Sequence, residues 1–251
     1  RYKMADEQKF PSEVIDLPSE GKLYPKDSPL SEGKLEIKYM TAREEDILTS
    51  QNLIKKGVVV ERLLDSLIIT EGVKCDDLII GDKNAVMIAA RILAYGPEYL
   101  CEIANPDTGK NETHTFNLAD CPFKKLPKGV TENNFELELP VSKSKITFNL
   151  LNGKDEKMIT EELKRIKKTG TQVSPELTTR LRYLITSIDG DSEPSTINNF
   201  VQNMLSKDSL ALRKEVSRVA PDVDMEQEIE VEGESVTVFI PMTVSFFWPN
   251  A

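Results

Sequence analysis

The stretch that decides the fold lies near the start of the chain: residues 15–25 are IDLPSEGKLYP, residues 29–33 are PLSEG, residues 34–40 are KLEIKYM and residues 41–48 are TAREEDIL. Proline and glycine punctuate the first two segments, which predicts an extended arm that ends in a turn. The alternation of apolar and polar residues in the third segment predicts a short strand. In the fourth, a threonine followed three residues later by glutamate predicts a capping box at the start of a helix. We therefore expect an arm that lies along another surface before the globular part begins.

Apolar residues at helical spacing predict several helices along the rest of the chain. We expect Asp82 and Asp208 to be the N-caps of two of them, because aspartate accepts hydrogen bonds from free backbone amides at a helix start. Ser174 followed by Pro175 is a third start signal. The predicted helices cover residues 41–55, 58–69, 84–95, 155–168, 175–188, 195–205 and 209–219.

Between these helices the apolar pattern changes to a period of two, which is typical of strands. Turn residues such as proline, aspartate, asparagine and glycine separate the alternating segments, so we expect antiparallel hairpins. The predicted strand pairs are 99–104 with 113–118, 135–139 with 145–151, and 227–231 with 235–240.

These patterns predict an α+β fold in which helical bundles are each followed by antiparallel β-hairpins. The matched order of elements raises the hypothesis of a pseudo-repeat of two halves, with a hinge at Asn152-Gly153. We expect residues 1–40 to form the N-terminal arm and short strand. Residues 41–151 are expected to form helices plus β-hairpins, and residues 152–251 to form helices plus a C-terminal β-hairpin.

The composition argues against several classes of partner. A net charge of −10 over 251 residues disfavours a nucleic-acid surface, because such surfaces concentrate lysine and arginine on one face. No apolar run approaches the ~20 residues that a membrane span requires. The three cysteines form no CxxC pair, and no secretion signal is recognisable. We therefore expect a cytoplasmic protein whose partners are other proteins.

Residues for covalent chemistry or metal binding are sparse. His114 is the single histidine, and no nucleophile or carboxylate stands at a motif spacing from it. Cys101 and Cys121 flank the first hairpin and could supply soft ligands together with His114. A zinc ribbon needs two close ligand pairs, which this sequence lacks. We predict a protein that is not an enzyme, without catalytic, cofactor-binding or metal-binding residues.

Apolar anchors at the two ends of the chain are the candidate partner-binding residues. An extended polar arm with isolated apolar side chains is typical of a segment that becomes ordered on a partner. A cluster of aromatic residues left exposed would form an adhesive patch. The alternative is that both ends pack on the chain's own core. The candidates are Phe10, Ile15, Leu17, Leu23 and Tyr24 in the arm, and Phe246, Phe247 and Trp248 at the other end. If the arm binds a partner, we expect a chain lacking residues up to Pro25 to remain folded.

Segments at both ends also resemble a known family. Residues 17–24 (LPSEGKLY), 35–41 (LEIKYMT), 44–48 (EEDIL) and 240–249 (IPMTVSFFWP) are similar to the T4-type baseplate hub assembly protein (chaperone) family of contractile-tailed bacteriophages. The resemblance implies a protein that helps to build, or forms part of, the central hub of the tail baseplate. It implies other baseplate hub or tape-measure proteins as partners, and the host cytoplasm during virion assembly as its location.

Two alternatives remain open beside this interpretation. The first is a structural virion component that is retained in the tail or baseplate of the particle. The second is a zinc-ribbon-like binding module, since some relatives carry cysteine pairs in the hairpins. Cys101 and Cys121 stand alone here, so the resemblance does not carry metal binding over to this chain. The oligomeric state is left open.

Overall fold

The computed structural model describes residues 11–105, 108–170, 172–231, 233–242 and 246–247. Its helices are α1 (Ala42–Thr49), α2 (Gln51–Lys56), α3 (Val59–Leu67), α4 (Ile80–Tyr95), α5 (Gly153–Lys168), α6 (Glu176–Leu184), α7 (Pro194–Gln202) and α8 (Ser206–Val219). Its strands are β1 (Ser12–Asp16), β2 (Lys34–Lys38), β3 (Glu98–Ala104), β4 (Asn111–Asn117), β5 (Phe123–Lys124), β6 (Phe135–Glu138), β7 (Lys145–Phe148), β8 (Ile185–Ile188), β9 (Asp222–Val223), β10 (Glu226–Val231) and β11 (Glu234–Phe239). This composition confirms the predicted α+β fold.

The strands form several small antiparallel sheets. Consecutive strands pair in β1–β2, β3–β4 and β10–β11, while β5 pairs with β9 across a large separation in sequence. The remaining sheet has the order β6–β7–β8. The predicted hairpins at residues 99–118, 135–151 and 227–240 are all present, because alternating residues and turn signals specify such local pairings well.

One helix predicted from the sequence is wrong in its second half. The helix predicted over 175–188 ends at Leu184, and the next four residues form β8 against β7. A register shift between Thr147 and Phe148 brings both Ile185 and Ile188 to the buried side of the strand. The spacing of these isoleucines fits a helix equally well, and the pairing with β7 decides between the two.

The two aspartates predicted as N-caps lie inside their helices instead. Helix α4 begins at Ile80 and α8 at Ser206, so Asp82 and Asp208 each occupy the third helical position. Both side chains are buried, and each accepts hydrogen bonds from a different segment of the chain. Aspartate at these positions joins elements to one another rather than capping its own helix.

The buried apolar residues form two clusters, which define two lobes. The first lobe is built on α3, α4 and β3–β4, and it includes Leu17 and Leu30 from the arm. The second lobe is built on β6–β8 and α5–α8. Val238 and Ile240 belong to the first cluster, so the C-terminal hairpin returns to the first lobe. The second cluster groups residues 135–151 with α5–α8, and the division of the chain into segments 41–151 and 152–251 stays a prediction.

Close backbone contacts join the two lobes. A Cβ atom on Gly81 of α4 would lie 1.8 Å from the carbonyl oxygen of Pro221, and one on Gly153 of α5 would lie 2.7 Å from Cα of Asp76. Lys154 forms an ion pair of 2.5 Å with Asp77 beside the second contact. Glycine at these positions permits the two lobes to approach each other. Within the described ranges, no helix combines the length and apolar character that crossing a bilayer demands.

Candidate functional site

The arm packs against its own chain along most of its described length. The Leu17 amide donates to the Gly33 carbonyl at 2.9 Å, and the Leu17 side chain is buried in the first lobe. Leu23, six residues later, is buried in the second lobe. The arm therefore contributes to both cores.

The carboxylate of Asp82 holds the arm in place. It accepts hydrogen bonds from the Ser19 amide at 2.9 Å, the Ser19 hydroxyl at 2.6 Å and the Tyr24 hydroxyl at 2.6 Å. The Tyr24 hydroxyl in turn accepts from the Ile79 amide at 3.1 Å. Burial raises the pKa of Asp82 above its ordinary value, against the opposing effect of these donors.

Two glycines allow the arm to fold tightly on itself. A Cβ on Gly21 would lie 2.3 Å from the carbonyl oxygen of Ser31, and one on Gly33 would lie 2.7 Å from the carbonyl carbon of Glu20. Both glycines have positive φ angles, of 76° and 69°. The arm is thus a closed loop of defined shape, which fits a segment belonging to the fold.

The described part of the aromatic C-terminal cluster lies in the first lobe. Phe246 packs edge-on against Tyr99 at 5.2 Å between ring centroids and against Phe247 at 5.1 Å. The Tyr99 hydroxyl donates to the Pro241 carbonyl at 3.0 Å. Both phenylalanines are buried, so this cluster closes the core beside the β3–β4 hairpin.

Burial accounts for most of the predicted partner-binding residues within the chain itself. Leu17, Leu23, Phe246 and Phe247 are buried, whereas Ile15 and Tyr24 are partly buried against the core clusters. Phe10 and Trp248 lie outside the described residues. Contact of these side chains with another protein stays a prediction. In the structure, the described part of the arm packs on the chain's own core.

An apolar groove opens on the first lobe, and apart from Phe246 and Phe247 its lining residues were not singled out by the sequence analysis. It has a volume of about 590 Å³ and lies between α1–α3 and the C-terminal segment. Ile54, Val60, Met87, Met242 and Phe247 are among the residues that line it. Ile54 stands in the polar helix QNLIKK, so no helical apolar stripe marked it as part of a surface.

The outer face of the β10–β11 hairpin is a second feature that the sequence analysis did not single out. Glu226, Glu228 and Glu230 alternate along β10 and are exposed. Phe239 lies directly across from Glu226 and is 63% exposed. This face therefore combines three carboxylates with one large apolar side chain.

Buried carboxylates elsewhere are engaged in hydrogen bonds within the chain. Asp208 accepts from the Val141 amide at 2.8 Å and the Ser142 amide at 3.0 Å, which fixes the turn between β6 and β7. Glu44 accepts from Lys38, Ser66 and Thr41 at 2.6 to 2.9 Å. Burial opposes the charge of Glu44, but these donors outweigh it and lower the pKa of Glu44 to about 2.

The three side chains considered as zinc ligands lie on or beside the first hairpin. Cys101 lies directly across from His114 in the β3–β4 register, and the Cys121 thiol accepts from Gln227 Nε2 at 3.3 Å. Burial raises the pKa of the Cys101 and Cys121 thiols. Among the residues described, no three histidine, cysteine, aspartate or glutamate side chains cluster closely enough to hold a metal.

These observations define a two-lobed α+β protein with an apolar groove and an acidic strand face. The protein-family model described as T4 bacteriophage base plate protein matches residues 11–248. The chain therefore belongs to this family, and the expectation of a phage baseplate protein is confirmed at that level. Membership of a baseplate family implies a location in the virion tail and interaction with other baseplate proteins. No curated protein and no solved structure was found to match the chain.

Proposed function

We propose that this chain is a baseplate hub assembly protein, or chaperone, that acts through contacts with other proteins and not as an enzyme. The observation that carries the proposal is the family match over residues 11–248, which supports a baseplate role for nearly the whole chain. The resemblance of residues 17–24 and 240–249 to hub assembly proteins supports the finer role. Other hub or tape-measure proteins are its proposed partners, and the host cytoplasm during virion assembly is its proposed location.

The proposal that the chain is not an enzyme is supported by the role of its buried carboxylates, which accept hydrogen bonds within the fold. The carboxylates of Asp82, Asp208 and Glu44 each accept several hydrogen bonds from the arm, a turn or a neighbouring helix. Such groups stabilise the fold, because each removes the cost of leaving buried donors unpaired. A turnover in a hydrolase screen that disappears in the His114→Ala variant would overturn this part.

The second candidate is a structural component retained in the tail or baseplate, which the family description itself favours. Mass spectrometry of infected-cell lysate and of purified particles of the same phage separates the two candidates. An assembly protein is expected to be abundant in lysate, to co-purify there with hub or tape-measure proteins, and to be missing from finished particles. A fixed copy number in particles, relative to the tail tube protein, would instead establish the retained component.

Co-purification from infected cells tests whether hub or tape-measure proteins are the partners of this chain. A tagged full-length chain recovered from infected cells is expected to carry hub or tape-measure proteins with it, and a tagged unrelated cytoplasmic protein is not. If the chain is recovered without any baseplate or tape-measure protein, the proposed partners are wrong.

A further inference from the structure

We propose that this chain self-associates, with the outer face of the β10–β11 hairpin of one copy docking into the apolar groove of a second copy. The groove is the receiving surface, and its floor is formed by aliphatic, methionine and phenylalanine side chains. Ile54 at its edge is 47% exposed, so an apolar surface is open to solvent there. Methionine side chains, such as Met87 and Met242, adapt their shape to an inserted group.

Two lysines stand in the sequence between residues that line the groove, and the carboxylate of Glu61, which also lines it, is neutralised by an ion pair of 2.8 Å with Lys83. Lys55 and Lys56 follow Ile54 and precede Gly57, which also lines the groove. Both lysines are exposed, and neither has an ion-pair partner among the described residues. A group that fits this site therefore combines an apolar anchor with neighbouring carboxylates.

The outer face of the hairpin has this chemistry. Phe239 projects from β11 directly across from Glu226 of β10, and cross-strand neighbours on one face lie about 5 Å apart. Glu228 and Glu230 continue the same face at intervals of about 7 Å. None of the three glutamates forms a salt bridge within the described part of the chain. Glu228 accepts one hydrogen bond, from the exposed Ser235 hydroxyl at 3.1 Å. An exposed phenylalanine beside carboxylates without a salt bridge complements an apolar groove beside lysines without one.

The arrangement of the two surfaces allows a second copy to be the occupant. They share no residue, so one copy can offer its hairpin face while its own groove receives the face of another. Contacts of this kind join identical chains without a third component. This self-association is independent of whether the protein is released from the particle or retained in it.

Sedimentation equilibrium of the full-length chain tests the proposal. Because each contact leaves a free groove at one end and a free hairpin face at the other, we expect reversible association into dimers and longer head-to-tail oligomers. This association is expected to weaken between about 0.1 M and about 1 M salt, where the screening length falls from about 10 Å to about 3 Å. The Lys55→Glu/Lys56→Glu and Phe239→Asp variants are each expected to raise the dissociation constant about tenfold or more. All of these side chains are exposed, and an unchanged melting temperature verifies the fold of each variant.

Matched controls make the same chemical changes elsewhere. Lys167→Glu/Lys168→Glu reverses two exposed lysines at the end of α5, and Leu100→Asp replaces an exposed apolar residue of β3. Both are expected to leave the dissociation constant within about twofold of the unmodified chain. A loss of association in these controls equal to that of the test variants would overturn the proposal.

Charge exchange and mixing give two further readouts. A chain carrying Glu226→Lys/Glu228→Lys together with Lys55→Glu/Lys56→Glu is expected to regain association, because the two surfaces are complementary again. A mixture of the groove variant and the Phe239→Asp variant is expected to form mixed dimers, since each lacks a different surface. A chain that stays monomeric up to about 1 mM would overturn self-docking, and the groove would then be left to another baseplate subunit.

Discussion

Glu44 illustrates how one side chain of the N-terminal region serves two purposes. The predicted capping box is confirmed, since the Thr41 amide donates to Glu44 Oε2 at 2.9 Å. The other carboxylate oxygen accepts from Lys38 Nζ and from the Ser66 hydroxyl, both at 2.6 Å. The same residue thus begins α1 and ties β2 to α3. Local sequence predicted the first role, while the second depends on which elements pack together.

The lowered pKa of Glu44 gives a prediction about stability and pH. Its pKa is about 2 in the folded chain against an ordinary 4.5, so the ionised carboxylate stabilises the fold above about pH 4.5. This contribution is lost as the pH falls from 4.5 towards 2. The shift corresponds to about 3 kcal/mol at neutral pH. Glu44→Gln is expected to lower the free energy of unfolding by that amount at pH 7, in urea titrations, and by progressively less in acid.

Asp46→Asn is the matched control for this prediction, because it neutralises an exposed carboxylate of the same helix. It is expected to change the free energy of unfolding by less than about 0.5 kcal/mol at every pH. A difference between Glu44→Gln and the unmodified chain that stays constant from neutral pH to pH 2 would contradict the role given to the carboxylate.

The sequence predicted that the apolar residues of the arm would be buried, but it did not identify the surface that buries them. Leu17 and Leu23 are buried by the chain's own two lobes. The groove brings together residues distant in sequence, so no local pattern marked it as a surface. The acidic hairpin face is local, but alternating glutamates on a strand are equally typical of an ordinary solvent-facing side.

At the scale of elements, the contact between α4 and the segment after α8 is unusually close. Gly81 occupies the second position of α4, where a Cβ would lie 1.8 Å from the Pro221 carbonyl oxygen. Alanine normally stabilises a helix by about 0.5–1 kcal/mol relative to glycine. Here we expect Gly81→Ala to lower the free energy of unfolding by about 1–3 kcal/mol, because the added methyl group must displace backbone.

Ser195→Ala provides the control, since Ser195 is exposed at the second position of α7. Chemical denaturation of both variants is expected to show a loss for Gly81→Ala and a change within about 0.5 kcal/mol for Ser195→Ala. A Gly81→Ala chain that is as stable as the unmodified chain, or more so, would mean that the two elements do not meet this closely.

Element types were largely predictable, and their boundaries and partners were less so. The β3–β4 and β10–β11 hairpins follow from alternation and turn residues, which act between neighbours in sequence. Strand β8 was missed because its pairing with β7 joins residues about 40 positions apart. The functions of Asp82 and Asp208 were missed for the same reason, since their hydrogen-bond partners are distant in the chain.

At the scale of the whole molecule, the arm packs across both lobes and contributes to both cores. It contributes Leu17 to one core and Leu23 to the other, and Tyr24 packs against both. This arrangement changes the expectation for a chain that lacks residues up to Pro25. Because each buried leucine contributes about 2–5 kcal/mol, we expect the shortened chain to be strongly destabilised in both lobes. Hydrogen exchange, read separately for α3–α4 and for β6–β8, is the measurement.

Two controls distinguish this role from a general effect of shortening. Val14→Ala changes an exposed residue of β1 and is expected to leave protection in both lobes intact. A synthetic peptide of residues 11–25, added in excess to the shortened chain, is expected to restore protection. Unchanged exchange in the shortened chain would show that the arm is dispensable for folding.

The return of the C-terminal hairpin to the first lobe has a consequence for synthesis on the ribosome. The second core draws most of its residues from one continuous stretch, 135–219, and can condense while the remainder is still being translated. The first core needs Val223, Met225, Val238, Ile240 and Phe246, which emerge after the residues of the second core. The lobe whose residues are made first is therefore completed after the other, and its apolar interior remains open to chaperones and to premature partners until residues 223–246 have been translated.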